Sequence, residues 1–101
     1  PRQIIKVAVS DILYIYKKQK YSVMVLEDEE IPVRKALGQL KEELDREEFL
    51  MIERGYVINL YHVWKMEGTS VVLDNKTVLP VSQNHAKEVR ETITGFFRRH
   101  L

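Results

Sequence analysis

The sequence contains no cysteine, which excludes disulfides and thiolate-ligated metals and permits residence in the reducing cytoplasm. Its longest apolar runs, such as Val23-Met24-Val25-Leu26, are far too short to span a bilayer, and no charged-then-apolar leader opens the chain. Glycines number only four, and they form neither a phosphate-cradling loop nor an elbow around a serine, so Ser70 and Ser82 lack the setting of a nucleophile. The three histidines, His62, His85 and His100, do not share the spacing of a helical metal pair, and surface or capping roles are expected of them. Glu42-Glu43 and Glu47-Glu48 read as a hydrated helix end rather than as catalytic carboxylates, which need unlike environments to separate their pKa values. No enzymatic activity, cofactor or metal is therefore expected. Also missing is a pair of short helices joined by a tight turn, the helix-turn-helix pattern of many DNA readers.

What is present is enough for one domain spanning residues 1–101. Hydrophobic residues make up 45% of the chain, sufficient for a core, and the 31% that are charged are mixed in sign, as in globular rather than disordered chains. The chain starts at Pro1 rather than Met, so a fragment of a longer protein is expected. The net charge of +1 conceals three unequal blocks. Residues 1–20 carry five Lys/Arg against one acid, residues 21–53 four against ten, and residues 54–101 seven against four. A nucleic-acid binder needs local basic patches rather than a basic whole, although from charge alone plain solvated surface is the commoner explanation of such blocks.

The first third reads as strands. Ile5, Val7 and Val9 alternate with polar or small residues, the period of a half-buried strand, until Ser10-Asp11 breaks the run. Ile12-Leu13-Tyr14-Ile15-Tyr16 and Tyr21-Ser22-Val23-Met24-Val25-Leu26 read as partners across a polar turn, Lys17-Lys18-Gln19-Lys20. After Glu27-Asp28-Glu29-Glu30 comes Ile31-Pro32-Val33-Arg34, an edge strand because Pro32 has no amide to donate. Ala36, Leu37, Leu40 and Leu44 then fall at helical spacing, predicting a helix over 35–45. From Phe49 to Met66 short strands and turns are expected. Ser70-Val71-Val72-Leu73 should pair with Thr77-Val78-Leu79-Pro80-Val81 across Asp74-Asn75-Lys76. A last helix should begin near Ser82, capped by Ser82 or Asn84, with Ala86, Val89, Ile93, Phe96 and Phe97 along one face. Arg98, Arg99 and His100 suit its negative end.

Two places carry residues suited to phosphates and bases. Lys17, Lys18 and Lys20, beside Tyr16 and Tyr21, project ammonium groups from one turn, with a tyrosine hydroxyl to add a hydrogen bond. Arg54, beside Gly55 and Tyr56, can clamp a phosphate or grip guanine bidentately, with the glycine permitting close approach. An ion pair between Arg54 and Glu53 is the competing structural role.

The phrase Phe49-Leu50-Met51-Ile52-Glu53-Arg54-Gly55-Tyr56-Val57-Ile58-Asn59 resembles the signature of the LytTR family of bacterial DNA-binding domains. Asp11-Ile12-Leu13-Tyr14-Ile15 with Lys20-Tyr21 is similar to the family's opening strand and first loop. Arg34-Lys35-Ala36-Leu37 with Leu40 and Leu44 is similar to its helix start, and Leu79-Pro80-Val81-Ser82 with Ala86-Lys87 to its closing segment. The resemblance covers nearly the whole chain in order. It implies a mainly β fold, an elongated antiparallel domain with a short central helix and a C-terminal helix, that grips double-stranded DNA through loops between strands. It further implies the output half of a cytoplasmic two-component response regulator. The isolated domain would dimerise weakly or not at all, and two copies would sit on a direct-repeat promoter site and bend the DNA. A sensor kinase would act through a receiver domain not in this chain.

Carried over by position, the first DNA-contacting loop is 17–21, with Lys17, Lys18, Lys20 and Tyr21. The second centres on Arg54, with Glu53 and Gly55, and the third is Ser82-Gln83-Asn84. Asn59 is expected to fix a turn rather than touch DNA. Two positions depart from the family. Glu53 stands where histidine is common, and Gln83 where a basic residue is common, so an altered sequence preference or weaker binding is expected. The rival reading is a protein-interaction or dimerisation module on the same fold.

Overall fold

Alternation of apolar and polar residues generates two antiparallel sheets in the structure, a computed structural model describing residues 3–101. The larger sheet has the strand order β3-β2-β1-β5-β4, with β1 Tyr14–Lys18, β2 Tyr21–Val25, β3 Glu30–Val33, β4 Phe49–Glu53 and β5 Tyr56–Asn59. The smaller is a meander of β6 (Val63–Glu67), β7 (Ser70–Leu73) and β8 (Val78–Pro80). Helix α1 (Leu37–Leu44) joins β3 to β4, and α2 (Ala86–His100) closes the chain. The fold is thus the expected mainly β one, and it is elongated, at 43 × 27 × 24 Å.

Strands alternate their side chains between faces, so the five-stranded sheet feeds two cores. Val57 on β5 packs with Ile12, Ile15, Met24 and Phe49 under Leu37 and Leu40 of α1. Its neighbour Ile58 points the other way and joins Leu13, Ile52, Leu60, the inner residues of the small sheet and Val89, Ile93 and Phe96 of α2. Both Val57 and Ile58 are fully buried, and burying each side chain contributes about 1.5–3 kcal/mol. Substituting Ile58 by alanine would open a cavity at the junction of both sheets and α2.

Register decides which loops share an end of the large sheet. Lys18 pairs with Tyr21, Tyr16 with Tyr56, and Ser22 with Val33. The turns at 19–20 and 54–55 and the connection 34–36 therefore emerge together. At the opposite end Tyr14 pairs with Val25 and Phe49 with Asn59, which collects residues 26–29 and 45–48 there.

Several expectations need correction. Residues 5–9 are not a strand: residues 3–8 have no ladder partner, and Val9–Asp11 is a 3-10 turn. The alternation there is nevertheless real, because Val7 and Val9 lean on the α1-side core while Lys6 and Ala8 face solvent. Lys17 and Lys18 belong to β1, leaving only Gln19-Lys20 as the turn. Helix α2 begins at Ala86 after a 3-10 turn, Gln83–His85, and neither Ser82 nor His85 supplies a side-chain cap. Glu48 is buried rather than hydrated, its carboxylate 2.9 Å from Arg46 Nε. Pro32 sits in β3, the edge strand, as its missing donor requires.

Candidate nucleic-acid interface

The central element is the hairpin β4–β5, closed by the two-residue turn Arg54-Gly55. The Gly55 N–H donates to Glu53 Oε2 at 2.8 Å, so this carboxylate is engaged within its own turn. Arg54 is left exposed, and among the described residues it forms no ion pair, with Glu53 or any other acid. The competing structural role is therefore not taken.

Backbone bonds tie the other two loops to this hairpin. Lys17 N–H donates to Gly55 carbonyl oxygen at 3.0 Å, extending the β1–β5 ladder to the turn. On the far side, Ser82 N–H donates to the Ile52 carbonyl at 3.0 Å. Ser82 is half-buried, and Gln83 and Asn84 stand exposed just beyond it.

Two grooves meet at Arg54. One, of about 430 Å³, is lined by Lys17, Lys20, Tyr21 and Arg54, together with Lys35 and the start of α1. The other, of about 640 Å³, runs between Glu53, Arg54, Ser82, His85 and Glu88. The surface thus joins Lys17, Lys20, Tyr21, Glu53, Arg54 and Ser82 continuously, with Gln83 and Asn84 at its margin. Lys18 is separated. Alternation along β1 turns it to the opposite face, where it lines a smaller groove with Tyr16, Val23 and Glu30; Tyr21, its register partner, borders both grooves.

A family model for the LytTr DNA-binding domain matches residues 2–94. The chain belongs to this family. DNA is therefore its partner and transcription regulation its general function. No curated protein sequence matches the chain significantly. In structure it is similar to a LytTr DNA-binding domain assigned to a methyl-accepting/DNA response regulator from Bacillus cereus, with a TM-score of 0.75 and 22% sequence identity, covering 88% of this chain and 86% of that one.

Within this LytTr domain, Asn59 is structural, as expected. It is buried, donates from Nδ2 to the Ile12 carbonyl at 2.9 Å, and accepts from Tyr61 N–H at 3.0 Å. Two of the histidines also serve local structure. His62 Nε2 lies 2.7 Å from the Ser10 carbonyl, and His100 lies 3.2 Å from both Glu47 and the Tyr61 hydroxyl. No group of three or more metal-ligating side chains is placed to hold an ion among the described residues. Lys35 and His85 were not singled out by sequence reasoning. For Lys35 a signal existed: β3 runs antiparallel to β2, so residues following it must return to the Lys20 end. The Lys35 ammonium pairs with Glu43, and that hydrogen bond holds the Glu43 carboxyl below the usual carboxylate range.

Proposed function

We propose that this domain binds specific double-stranded DNA sites through its three clustered loops, as the output domain of a two-component response regulator. The observation that carries the reading is the pair of backbone bonds, Lys17 to Gly55 and Ser82 to Ile52, that bind the loops into one surface centred on unpaired Arg54. Lys17, Lys20 and Arg54 anchor phosphates, with Lys18 reaching a flanking one and the Tyr21 hydroxyl adding a hydrogen bond. Arg54 reads a guanine, and Gln83 and Asn84 read adenine edges in the major groove. The domain is one part of a longer cytoplasmic regulator whose receiver is addressed by a sensor kinase. Two copies, weakly associated off DNA, occupy a direct repeat. The response-regulator context of the Bacillus cereus relative supports this placement.

The rival reading, a protein-interaction or dimerisation module with a weakened nucleic-acid face, rests on Glu53, Gln83 and the acidic middle of the chain. The Gly55 N–H that the Glu53 carboxylate accepts gives this acid a turn-forming role compatible with DNA binding. The deciding experiment is selection of duplexes from a random pool, followed by titration of the winners at several salt concentrations. Affinity should fall with salt, by a slope of about 0.9 per phosphate neutralised. A folded sample that enriches no sequence and binds no duplex at low salt would refute the proposal.

A further inference from the structure

The groove between the first hairpin and α1 differs in kind from its neighbour across Arg54. Lys17, Lys20, Lys35 and Arg54 line it, and no acidic side chain does. The adjoining groove carries Glu53 and Glu88. Gly38, in the first turn of α1, also lines the all-cation groove, and an added Cβ there would meet nothing within 4 Å. Gly38 does not hold the left-handed backbone that would require glycine, and glycine weakens a helix relative to residues with side chains. What the glycine does provide is open space beside four cations. Lys35 is held toward Glu43, but this ion pair is exposed, with side-chain exposures of 39% and 44%, and such pairs contribute little to stability. It can be exchanged for a phosphate at small cost.

We propose that a stretch of duplex-DNA backbone lies in this groove, with Lys35 as a phosphate contact that leaves Glu43 on binding and Gly38 as the floor the backbone passes over. The cations come from separate elements around an open trough rather than converging on one point, which suits a polyanion better than a small anion. The inference rests on the DNA-binding reading and extends the contact surface from the three loops to the β3–α1 connection.

The test compares point variants on selected and on mixed-sequence duplexes across a salt series. Lys35→Gln should weaken both kinds of duplex alike and lower the salt slope by about one. Gly38→Gln and Gly38→Glu are nearly isosteric, and both are better helix formers than glycine, so each should stay folded. Both should bind more weakly than wild type, Gly38→Glu much more so, with the gap closing as salt rises. Glu43→Gln should tighten binding by releasing Lys35, and by more than Glu42→Gln does. Wild-type slope and affinity in Lys35→Gln and both Gly38 variants would overturn the groove while leaving the loop reading intact. Failure of the wild-type protein to bind any duplex would instead refute the loop reading, and the groove with it.

Discussion

The two ends of the five-stranded sheet are built alike and charged oppositely. At one end the turns 19–20 and 54–55 and the connection 34–36 present Lys20, Arg34, Lys35 and Arg54, with Lys17 and Lys18 on the last residues of β1. At the other, residues 26–29 and 45–48 present Glu27, Asp28, Glu29, Asp45 and Glu47, with Arg46 as the one cation among them. There a cleft of about 460 Å³ is lined by Asp11, Glu27, Asp28, Glu29 and His62. A net charge of +1 gives no hint of this polarity, because antiparallel topology alone sorts the charges to opposite ends. The difference teaches that a nearly neutral domain can hold separate basic and acidic ends, which on the proposed reading turns the acidic end away from the phosphates.

The largest expected effect comes from reversing one end only. The combined Lys17→Glu, Lys20→Glu and Arg54→Glu protein should lose most of its affinity, and the binding left at low salt should show a slope shallower by roughly three. Glu27→Lys with Glu29→Lys at the opposite end should bind at least as well as wild type. Equal losses from both sets, read by fluorescence anisotropy, would break the comparison. Arg54→Ala alone should cost on the order of 1–3 kcal/mol of affinity if it reads a base, with relaxed discrimination at one position. Unchanged affinity and specificity would remove Arg54 from the interface. Asn59→Ala tests the other end as a purely structural element. Stranding the Ile12 carbonyl and Tyr61 N–H should cost about 1–3 kcal/mol in urea unfolding, while the salt slope of the folded protein stays put. Glu53→Gln keeps an acceptor for Gly55 N–H and removes a charge, so binding should tighten modestly with stability unchanged.

The smallest effect concerns pH. Tyr16 donates to Glu30 Oε1 at 2.7 Å, and this bond, more than burial, pushes the phenol above the ordinary tyrosine range. Because the folded state favours the protonated phenol, its stabilising contribution is full below that range. The contribution is lost as pH rises through the raised value. An ultraviolet titration compared with Tyr16→Phe should show one phenol ionising late, and ionisation at the free-tyrosine pH would contradict the bond.

Much of this fold could be read from residues whose patterns report a local cause. Pro32 marked an edge strand because its nitrogen cannot donate, and Leu37, Leu40 and Leu44 marked α1 because only a helix puts them on one core. Asp74-Asn75-Lys76 marked a hairpin now seen between β7 and β8. The misreadings arose where tertiary partners decide. Val7 and Val9 alternate as a strand would, yet among the described residues no neighbouring strand bonds them. Glu48 sits in a polar run, and only the packing of Arg46 beside it and the fold of the chain bury it. The candidate site was legible as three separate loops. Their union through Lys17, Gly55, Ile52 and Ser82 was not, since backbone bonds between segments leave no trace in residue identity. Lys18 shows the limit at single-residue scale: neighbouring lysines in one run part to opposite faces once the run becomes a strand.

The bonds that clasp the outer loops to the β4–β5 hairpin involve only main-chain atoms: one continues the β1–β5 ladder, where strands lie about 4.7–4.9 Å apart, and the other joins Ser82, outside any strand, to β4. The spacing of the three candidate loops is thus written in the scaffold rather than in their side chains. On the proposed reading, replacing a reader such as Gln83 or Arg54 changes which base is preferred without changing where along the duplex it is interrogated. A family built this way can diversify its vocabulary one letter at a time while the length of the word stays the same.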